Sequence, residues 1–242
     1  MDVIEIKKLR IDKILSSMGI GSRKEVKKYI KNGLVKINGE IIQDPGFLLN
    51  PHMQEIVFQG EEIRYQQFRY YMLNKPAGVI SATEDKHDRT VIDLLAPQER
   101  QDLFPVGRLD KDTEGLLLLT NDGKLTHNLL SPKKRIPKTY FAKVQGQVTK
   151  EDQIAFEIGV VLEDGYQTLP AQLDILSSGD ISKVEITIYE GKYHQIKRMF
   201  LSRGQKVLYL QRLSMGNLKL DENLATGDYR PLTQEEIEKI IV

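Results

Sequence analysis

The 242-residue sequence contains no cysteine and no tryptophan. Without cysteine, the chain can form neither disulfide bonds nor thiolate metal sites. No apolar run approaches the ~18 residues that a membrane-spanning helix needs, and residues 1–8 lack the apolar core of a signal peptide. Hydrophobic residues make up 40% of the chain and charged residues 29%, which is typical of a globular protein with a packed core. We therefore expect a cytoplasmic protein with no membrane association.

Metal-binding patterns are also missing. The four histidines are scattered along the chain, with no second cluster of ligands in sequence. The acidic segment 110–115 matches the first half of a calcium-binding loop. However, Leu118 and Asn121 stand at its ninth and twelfth positions, where oxygen ligands are required, and an apolar strand follows instead of a helix. No Walker loop or dinucleotide-binding glycine pattern is present. We expect no metal site.

Positive charge is concentrated in three windows, although the formal net charge is only +1. Residues 7–36 carry ten Lys or Arg and two acids, a local net of +8, which leaves the remainder with 25 basic and 32 acidic residues, a net of −7. Residues 124–150 and 191–220 each carry seven Lys or Arg and no acid. A solvated surface explains any one of these lysines. The three windows together indicate a surface that faces phosphate groups.

The first forty residues predict two short helices followed by a hairpin. Apolar residues recur at helical spacing from Leu9 onward. Ser22 and Glu25 form a capping-box pattern for a second helix, which ends near Gly33. Asn38-Gly39 is a strong signal for a two-residue hairpin turn.

Three pieces of this region resemble the S4 RNA-binding domain: residues 9–15, Ser22-Arg23 and residues 33–39. Such domains grip structured RNA, often ribosomal RNA. A basic helical hairpin that binds a protein partner is the alternative interpretation. The resemblance implies that these residues contact RNA: Arg10, Lys13, Ser22, Arg23, Lys24, Lys27 and Lys28.

Residues 67–242 predict a second domain, after an S4 domain and linker over residues 1–66. Strands are predicted over residues 69–73, 116–119, 139–148, 171–175, 184–188, 207–210 and 213–220. The segment 116–119 is a continuous apolar run, whereas 139–148, 171–175 and 184–188 alternate between apolar and polar residues. Helices are predicted over residues 91–95, 124–130 and 194–203, from Thr149, and from Thr233 through Ile241. Strands and helices without a regular βαβ rhythm favour the α+β class.

Five separated segments of this second domain resemble the pseudouridine synthase family, in the branch that acts on ribosomal RNA and carries an S4 domain. They are residues 73–78, 107–110, 138–140, 190–199 and 227–233, and only residues 1–8 and 82–90 lie outside the resemblance. It implies a mixed, mainly antiparallel sheet flanked by helices. It also implies isomerisation of a uridine that is flipped out of its stack, a reaction that needs no cofactor.

The resemblance assigns roles to individual residues. Asp110 corresponds to the catalytic aspartate, Lys197 to its basic partner, and Tyr140 to the aromatic residue that stacks on the target base. Ordinary structural roles are the alternatives: a turn residue, a phosphate-contacting lysine and a core tyrosine. Further RNA contacts are expected from Arg108, Lys138 and Arg198, whereas His194 is expected only to begin a helix.

The resemblance also indicates a substrate. Residues 194–199 and Ser131-Pro132 resemble members that modify 16S rRNA, at a site of the uridine-516 type. The expected partner is 16S rRNA or a small-subunit assembly particle, bound by a monomer. The alternatives are a synthase acting on 23S rRNA, a non-catalytic rRNA-binding or assembly factor, and a metal-dependent nuclease using Asp110, Asp112 and Glu114.

Overall fold

The computed structural model describes residues 8–240, which divide into two units. The first unit comprises residues 8–68 together with Leu95–Leu103, and the second comprises Arg69–Leu94 and residues 104–240. Within the first unit, the Gln101 side-chain amide donates a hydrogen bond of 2.7 Å to Ser16 Oγ. The segment Leu95–Leu103 therefore belongs to the first unit by packing, although its neighbours in sequence belong to the second.

Side chains cap the first amide groups of the second and third helices. Ser22 and Glu25 form the predicted capping box of the second helix, with Ser22 N donating to Glu25 Oε2 at 2.8 Å. Asp122 caps the third by accepting from Leu125 N at 3.0 Å. The α-helices in residues 8–240 are α1 (Ile11–Ser17), α2 (Arg23–Lys31), α3 (Gly123–Leu130), α4 (Lys150–Ile158), α5 (Gln195–Leu201) and α6 (Gln234–Ile240).

The strands of the first unit are short. Asn38 and Gly39 have positive φ angles of 49° and 84°, as the predicted hairpin turn requires. The strands are β1 (Leu9–Arg10), β2 (Val35–Ile37), β3 (Glu40–Ile41), β4 (Leu48–Leu49), β5 (Ile56–Phe58) and β6 (Glu61–Glu62). Strands β3-β2-β5-β6 form an antiparallel sheet and β1 pairs with β4. Apolar residues of α1 and α2 pack with those of this sheet in one buried cluster.

The second unit is built on one large sheet. Its strands are β7 (Tyr70–Lys75), β8 (Phe104–Pro105), β9 (Glu114–Thr120), β10 (Lys138–Gln145), β11 (Gln172–Ser177), β12 (Ile181–Ile188), β13 (Lys206–Met215), β14 (Leu218–Lys219) and β15 (Tyr229–Pro231). Their order is β11-β12-β10-β13-β9-β7-β15, with β14 on β13 and β8 on β9. Of the strand pairs in residues 8–240, only β9 and β13 run parallel. The sheet is therefore mixed and mainly antiparallel, which confirms the predicted α+β class.

The predicted boundaries of two strands, 207–210 and 213–220, are wrong. Residues Lys206–Met215 form one strand, and a turn then leads to the short β14. The register against β10 shifts at Leu213, because Ser214 pairs with Thr139 whereas Arg212 pairs with Tyr140. Such a bulge changes which residues share a face, so the alternation of period two breaks and one strand is read as two.

Smaller differences have local causes. The predicted 91–95 helix is a 3-10 turn at Ile92–Leu94. Strand β7 continues through Asn74 and Lys75, which are polar but buried and pair with Leu116 and Gly115. The predicted final helix is α6, and its expected apolar residue Ile241 lies outside the described residues.

Candidate active site

Lys75 anchors the loop that carries Asp110. The Lys75 side chain is fully buried, and its ammonium group donates to the carbonyl oxygens of Pro76 at 2.9 Å, Lys111 at 3.3 Å and Thr113 at 2.9 Å. All three of its N–H donors are thereby used. Burial lowers the pKa of Lys75 to about 8, although Asp112, Asp110 and Glu114 oppose the shift. The Lys75 ammonium group thus fixes the loop backbone on both sides of Asp112.

Ser81 and Gly78 hold the other side of the same loop. The Ser81 hydroxyl donates to Leu109 O at 2.9 Å and accepts from Leu109 N at 3.0 Å. Gly78 N donates to Lys111 O at 2.7 Å. The residues directly before and after Asp110 are therefore both tied to the segment that follows β7. This arrangement fixes the position of the Asp110 backbone before any ligand binds.

Lys197 brings two loop carboxylates together. Its ammonium group lies 3.0 Å from Asp110 Oδ2 and 2.6 Å from Asp112 Oδ1. Burial disfavours the charged form of Lys197, but the hydrogen bonds to Asp112 and Asp110 outweigh it and raise the pKa. Burial also opposes the ionised form of Asp112, yet Lys197 lowers its pKa overall. Lys197, on α5, thus balances charge on the loop before β9.

Tyr140 and Asp110 line one groove. The groove has a volume of about 1060 Å³, and a recess of about 80 Å³ opens beside Asp110, Tyr140 and Lys197. Small-molecule sites typically measure ~300–1,000 Å³, so a nucleotide has room here. Asp110 is 27% exposed, whereas Tyr140 is largely buried in the sheet. A carboxylate, an aromatic face and a lysine therefore surround a space of nucleotide size.

Arg212 also lines this groove, although it was not among the predicted site residues. The bulge at Leu213 places Arg212 opposite Tyr140, on the buried face of the sheet. Its backbone packs against Gly115, where an added Cβ would lie 2.3 Å from Arg212 O and 2.7 Å from Arg212 N. Gly115 also has a φ of +95°, so glycine is required there. The available signal was an arginine between the apolar residues Leu210 and Leu213.

Comparison with known proteins decides the family. Residues 69–202 match the family model for RNA pseudouridylate synthases, which is more than half of the chain. The chain belongs to the RNA pseudouridylate synthase family. Residues 9–55 match the model for the S4 domain. The resemblance proposed from the five sequence segments and from the N-terminal motifs is thereby confirmed.

Three relatives of this synthase cover nearly its full length. An uncharacterized RNA pseudouridine synthase of Bacillus subtilis, YtzG, is 52% identical over 95% of this chain and 97% of its own. Ribosomal small subunit pseudouridine synthase A of Vibrio cholerae is 40% identical, covering 96% and 99%. Ribosomal large subunit pseudouridine synthase B of Bacillus subtilis is 39% identical, covering 96% and 95%. The relatives therefore include proteins named for each ribosomal subunit.

Three residues predicted to bind RNA are engaged within the fold of the synthase. Arg198 forms ion pairs with Glu163 at 3.0 Å and Asp164 at 2.6 Å. Arg10 donates two hydrogen bonds, of 3.0 and 2.9 Å, to the carboxylate of Asp12. Ser22 is the cap of α2. These contacts give all three side chains a structural role, so we leave them out of the RNA-binding surface proposed below.

The remaining predicted RNA contacts are accessible. Arg108 is exposed at the groove, and Lys138 lines the groove beside Tyr140. Burial and the nearby charge of Arg212 lower the pKa of Lys138 to about 8. In the first unit, the predicted contacts Lys13, Arg23, Lys24, Lys27 and Lys28 are all exposed. All except Lys13 lie on α2.

His194 was expected only to begin a helix, and the structure gives it a further position. It precedes α5 in the left-handed conformation, with a φ of 48°. Its Nε2 atom lies 3.7 Å from Asp110 Oδ1, and its ring stacks on Tyr193 at a centroid distance of 3.8 Å. His194 therefore forms part of the wall around the Asp110 carboxylate.

Within residues 8–240, no group of three or more His, Cys, Asp or Glu side chains is arranged to hold a metal ion. Asp110 and Asp112 share the Lys197 ammonium group, and Glu114 accepts a hydrogen bond of 2.8 Å from the Tyr209 hydroxyl. In the same part of the chain, no helix has the length and apolar character to cross a membrane.

Proposed function

We propose that this synthase isomerises one uridine of 16S rRNA, in free RNA or in a small-subunit assembly particle, at a site of the uridine-516 type. The observation that carries the catalytic part is the Asp110 carboxylate, paired with Lys197 and open to a groove of nucleotide size. The relative from Vibrio cholerae supports the small-subunit target. The large-subunit relative supports 23S rRNA as the second candidate.

The reaction needs the groups that the groove contains. The bond from uracil N1 to the ribose C1′ breaks, the base turns, and a bond from C5 to C1′ forms. The proton on C5 is lost and N1 gains one, so the product is an isomer and no redox partner is required. We propose Asp110 as the catalytic carboxylate, with Lys197 compensating its charge and holding it in place.

Tyr140 is the proposed stacking surface for the flipped base. Extruding a base from RNA costs a few kcal/mol. Stacking on an aromatic side chain returns ~1–3 kcal/mol. Tyr140 is anchored in the centre of the sheet between β12 and β13, so its ring offers a rigid surface. Arg108 is proposed to fill the vacated stack or to bind a flanking phosphate.

Binding of the surrounding RNA is proposed to involve the first unit. The cations of α2 carry no ion pair among the described residues and face solvent, which suits contact with phosphates. Such contacts supply affinity without reading sequence. We propose that the protein acts on the RNA as a monomer.

Mapping of the product tests the proposal. Purified protein is incubated with 16S rRNA, 23S rRNA and small-subunit assembly particles, and pseudouridine is located by carbodiimide modification and primer extension. We expect one new site in 16S rRNA, and loss of the same site in cells that lack the gene. Product confined to 23S rRNA would overturn the target. RNA binding without product in any substrate would favour the non-catalytic assembly factor.

Neutralising α2 is expected to weaken RNA binding in a salt-dependent manner. In the double variant Lys27→Gln/Lys28→Gln, the slope of log affinity against log salt should fall by about 1.5, because each phosphate contact contributes ~0.7–0.9. Fluorescence anisotropy with labelled rRNA fragments measures this slope. The matched control Lys183→Gln/Lys239→Gln removes two exposed lysines elsewhere and should leave the slope unchanged. Equal slopes for both variants would exclude α2 from the interface.

A further inference from the structure

Arg212 is a buried cation with unused hydrogen-bonding capacity. It is 2% exposed, and its Nε donates to Leu116 O at 2.7 Å. Its Nη2 is buried and has no hydrogen-bond partner among residues 8–240. A guanidinium group stays charged in proteins, and leaving one of its donors unpaired away from water is costly. A ligand that accepts a hydrogen bond would remove this cost.

Within residues 8–240, no carboxylate forms an ion pair with the two cations of this part of the groove. Among the described residues, neither Arg212 nor Lys138 takes part in an ion pair, and Lys138 Nζ donates to Ile136 O at 2.9 Å. The carboxylates on the groove wall are engaged elsewhere: Asp110 by Lys197, and Glu190 by the Tyr166 hydroxyl at 2.6 Å. Two cations therefore line the groove without a counter-charge in the part of the chain that the structure describes. Burial, followed by the nearby charge of Arg212, lowers the pKa of Lys138 to about 8.

The sheet places these two cations on either side of the proposed stacking residue. Lys138 and Tyr140 share a face of β10, since they are two residues apart. The bulge at Leu213 puts Arg212 opposite Tyr140 on the neighbouring strand, where facing Cα atoms are typically ~4.5–5.5 Å apart. Without that bulge, Leu213 would occupy the groove face.

We propose that Arg212 and Lys138 bind a backbone phosphate adjoining the nucleotide whose base stacks on Tyr140. The proposal rests on the proposed function, in that the ligand is RNA with a flipped uridine. A phosphodiester suits the pair because it offers acceptors to a guanidinium fork and carries the missing negative charge. The contact would position the flipped nucleotide against Asp110, so Arg212 and Lys138 are positioning residues.

A protein–RNA double-mutant cycle tests the contact. The full-length protein is given a short substrate RNA containing the target uridine, with a neutral methylphosphonate replacing the phosphate on its 5′ or 3′ side. We expect Arg212→Gln, Lys138→Gln and one of the two neutral linkages each to lower kcat/KM by about 10–100-fold, the range for a charge-assisted hydrogen bond. Combining either variant with that linkage should lower kcat/KM little further than the single change does. Effects that multiply at both linkages would overturn the proposal.

Controls separate this contact from other causes. A methylphosphonate three nucleotides away and the exposed-lysine variant Lys183→Gln should show no coupling. If Arg212→Gln does not fold, as judged by circular dichroism, the Lys138→Gln cycle decides alone, because the Lys138 ammonium group donates to the nearby Ile136 O whereas Arg212 donates to β9. If the wild-type protein forms no product, the proposed function fails. The same cycle measured on RNA affinity then decides the phosphate contact separately.

Discussion

Replacing Asp110 by asparagine is expected to lower pseudouridine formation by at least about 10³-fold, in line with the loss of a single essential catalytic group. Asparagine keeps the shape of the side chain but cannot carry charge or act as base or nucleophile. RNA affinity should persist, since the proposed phosphate contacts lie on other residues. Single-turnover assays with tritium release from C5-labelled uridine measure the rate, and anisotropy measures binding.

Asp112→Asn is the matched control for this prediction. Asp112 contacts the same ammonium group at 2.6 Å, but its side chain is 72% exposed. Its loss removes one partner of Lys197 and leaves Asp110 paired, so we expect activity to fall by less than about tenfold, the scale of an exposed ion pair. A wild-type rate in Asp110→Asn, or equal losses in both variants, would refute the assignment of Asp110.

Lys75→Met is expected to destabilise the protein by about 3 kcal/mol, because each buried acceptor left without a donor costs ~1–3 kcal/mol. The carbonyl oxygens of Lys111 and Thr113, in the loop around Asp110, and of Pro76 would lose the buried donor that they share. For a chain of this size, the midpoint of thermal unfolding should fall by about 10 °C. Urea titration and calorimetry measure both quantities, and kcat should fall with the loop geometry.

Lys111→Met provides the comparison within the same loop. Lys111 is exposed and pairs with Asp88 at 2.6 Å, so its loss should cost less than about 1 kcal/mol.

The pH dependence of the stability difference between wild type and Lys75→Met is an independent test of the buried charge. Because the pKa of Lys75 is about 8 when folded and higher when unfolded, the unfolded chain binds more protons above pH 8. The wild-type protein should therefore gain stability over Lys75→Met as the pH rises from 8 to 10, and a constant difference would contradict the buried charge.

Local signals in the sequence were sufficient for the elements that depend on neighbouring residues. The capping box of α2 and the Asn38-Gly39 turn involve residues within three positions of each other, and both were predicted. The pairing of Lys197 with Asp110 spans 87 positions. Only the resemblance to the family indicated it, since no local periodicity relates residues that far apart.

The features that were not predicted depend on contacts with backbone atoms or on a shift in the alternation of strand faces. Lys75 is held by carbonyl oxygens 36 and 38 positions away, and a carbonyl oxygen carries no signal in the amino-acid sequence. Arg212 reaches the groove because of one extra residue in β13, which inverts the alternation from which a strand face is inferred. The ion pairs of Arg198 were missed because Glu163 and Asp164 lie on a distant turn.

The nine residues Leu95–Leu103 limit how this enzyme can be divided or recombined. They pack with the first unit while both flanking segments belong to the second, so the chain crosses between units three times. Replacing all residues before residue 69 by a different RNA-binding module would leave this segment without the unit it packs against. It would also remove Ser16, the hydrogen-bond partner of Gln101. A workable chimera therefore has to transplant two stretches of chain together, not one.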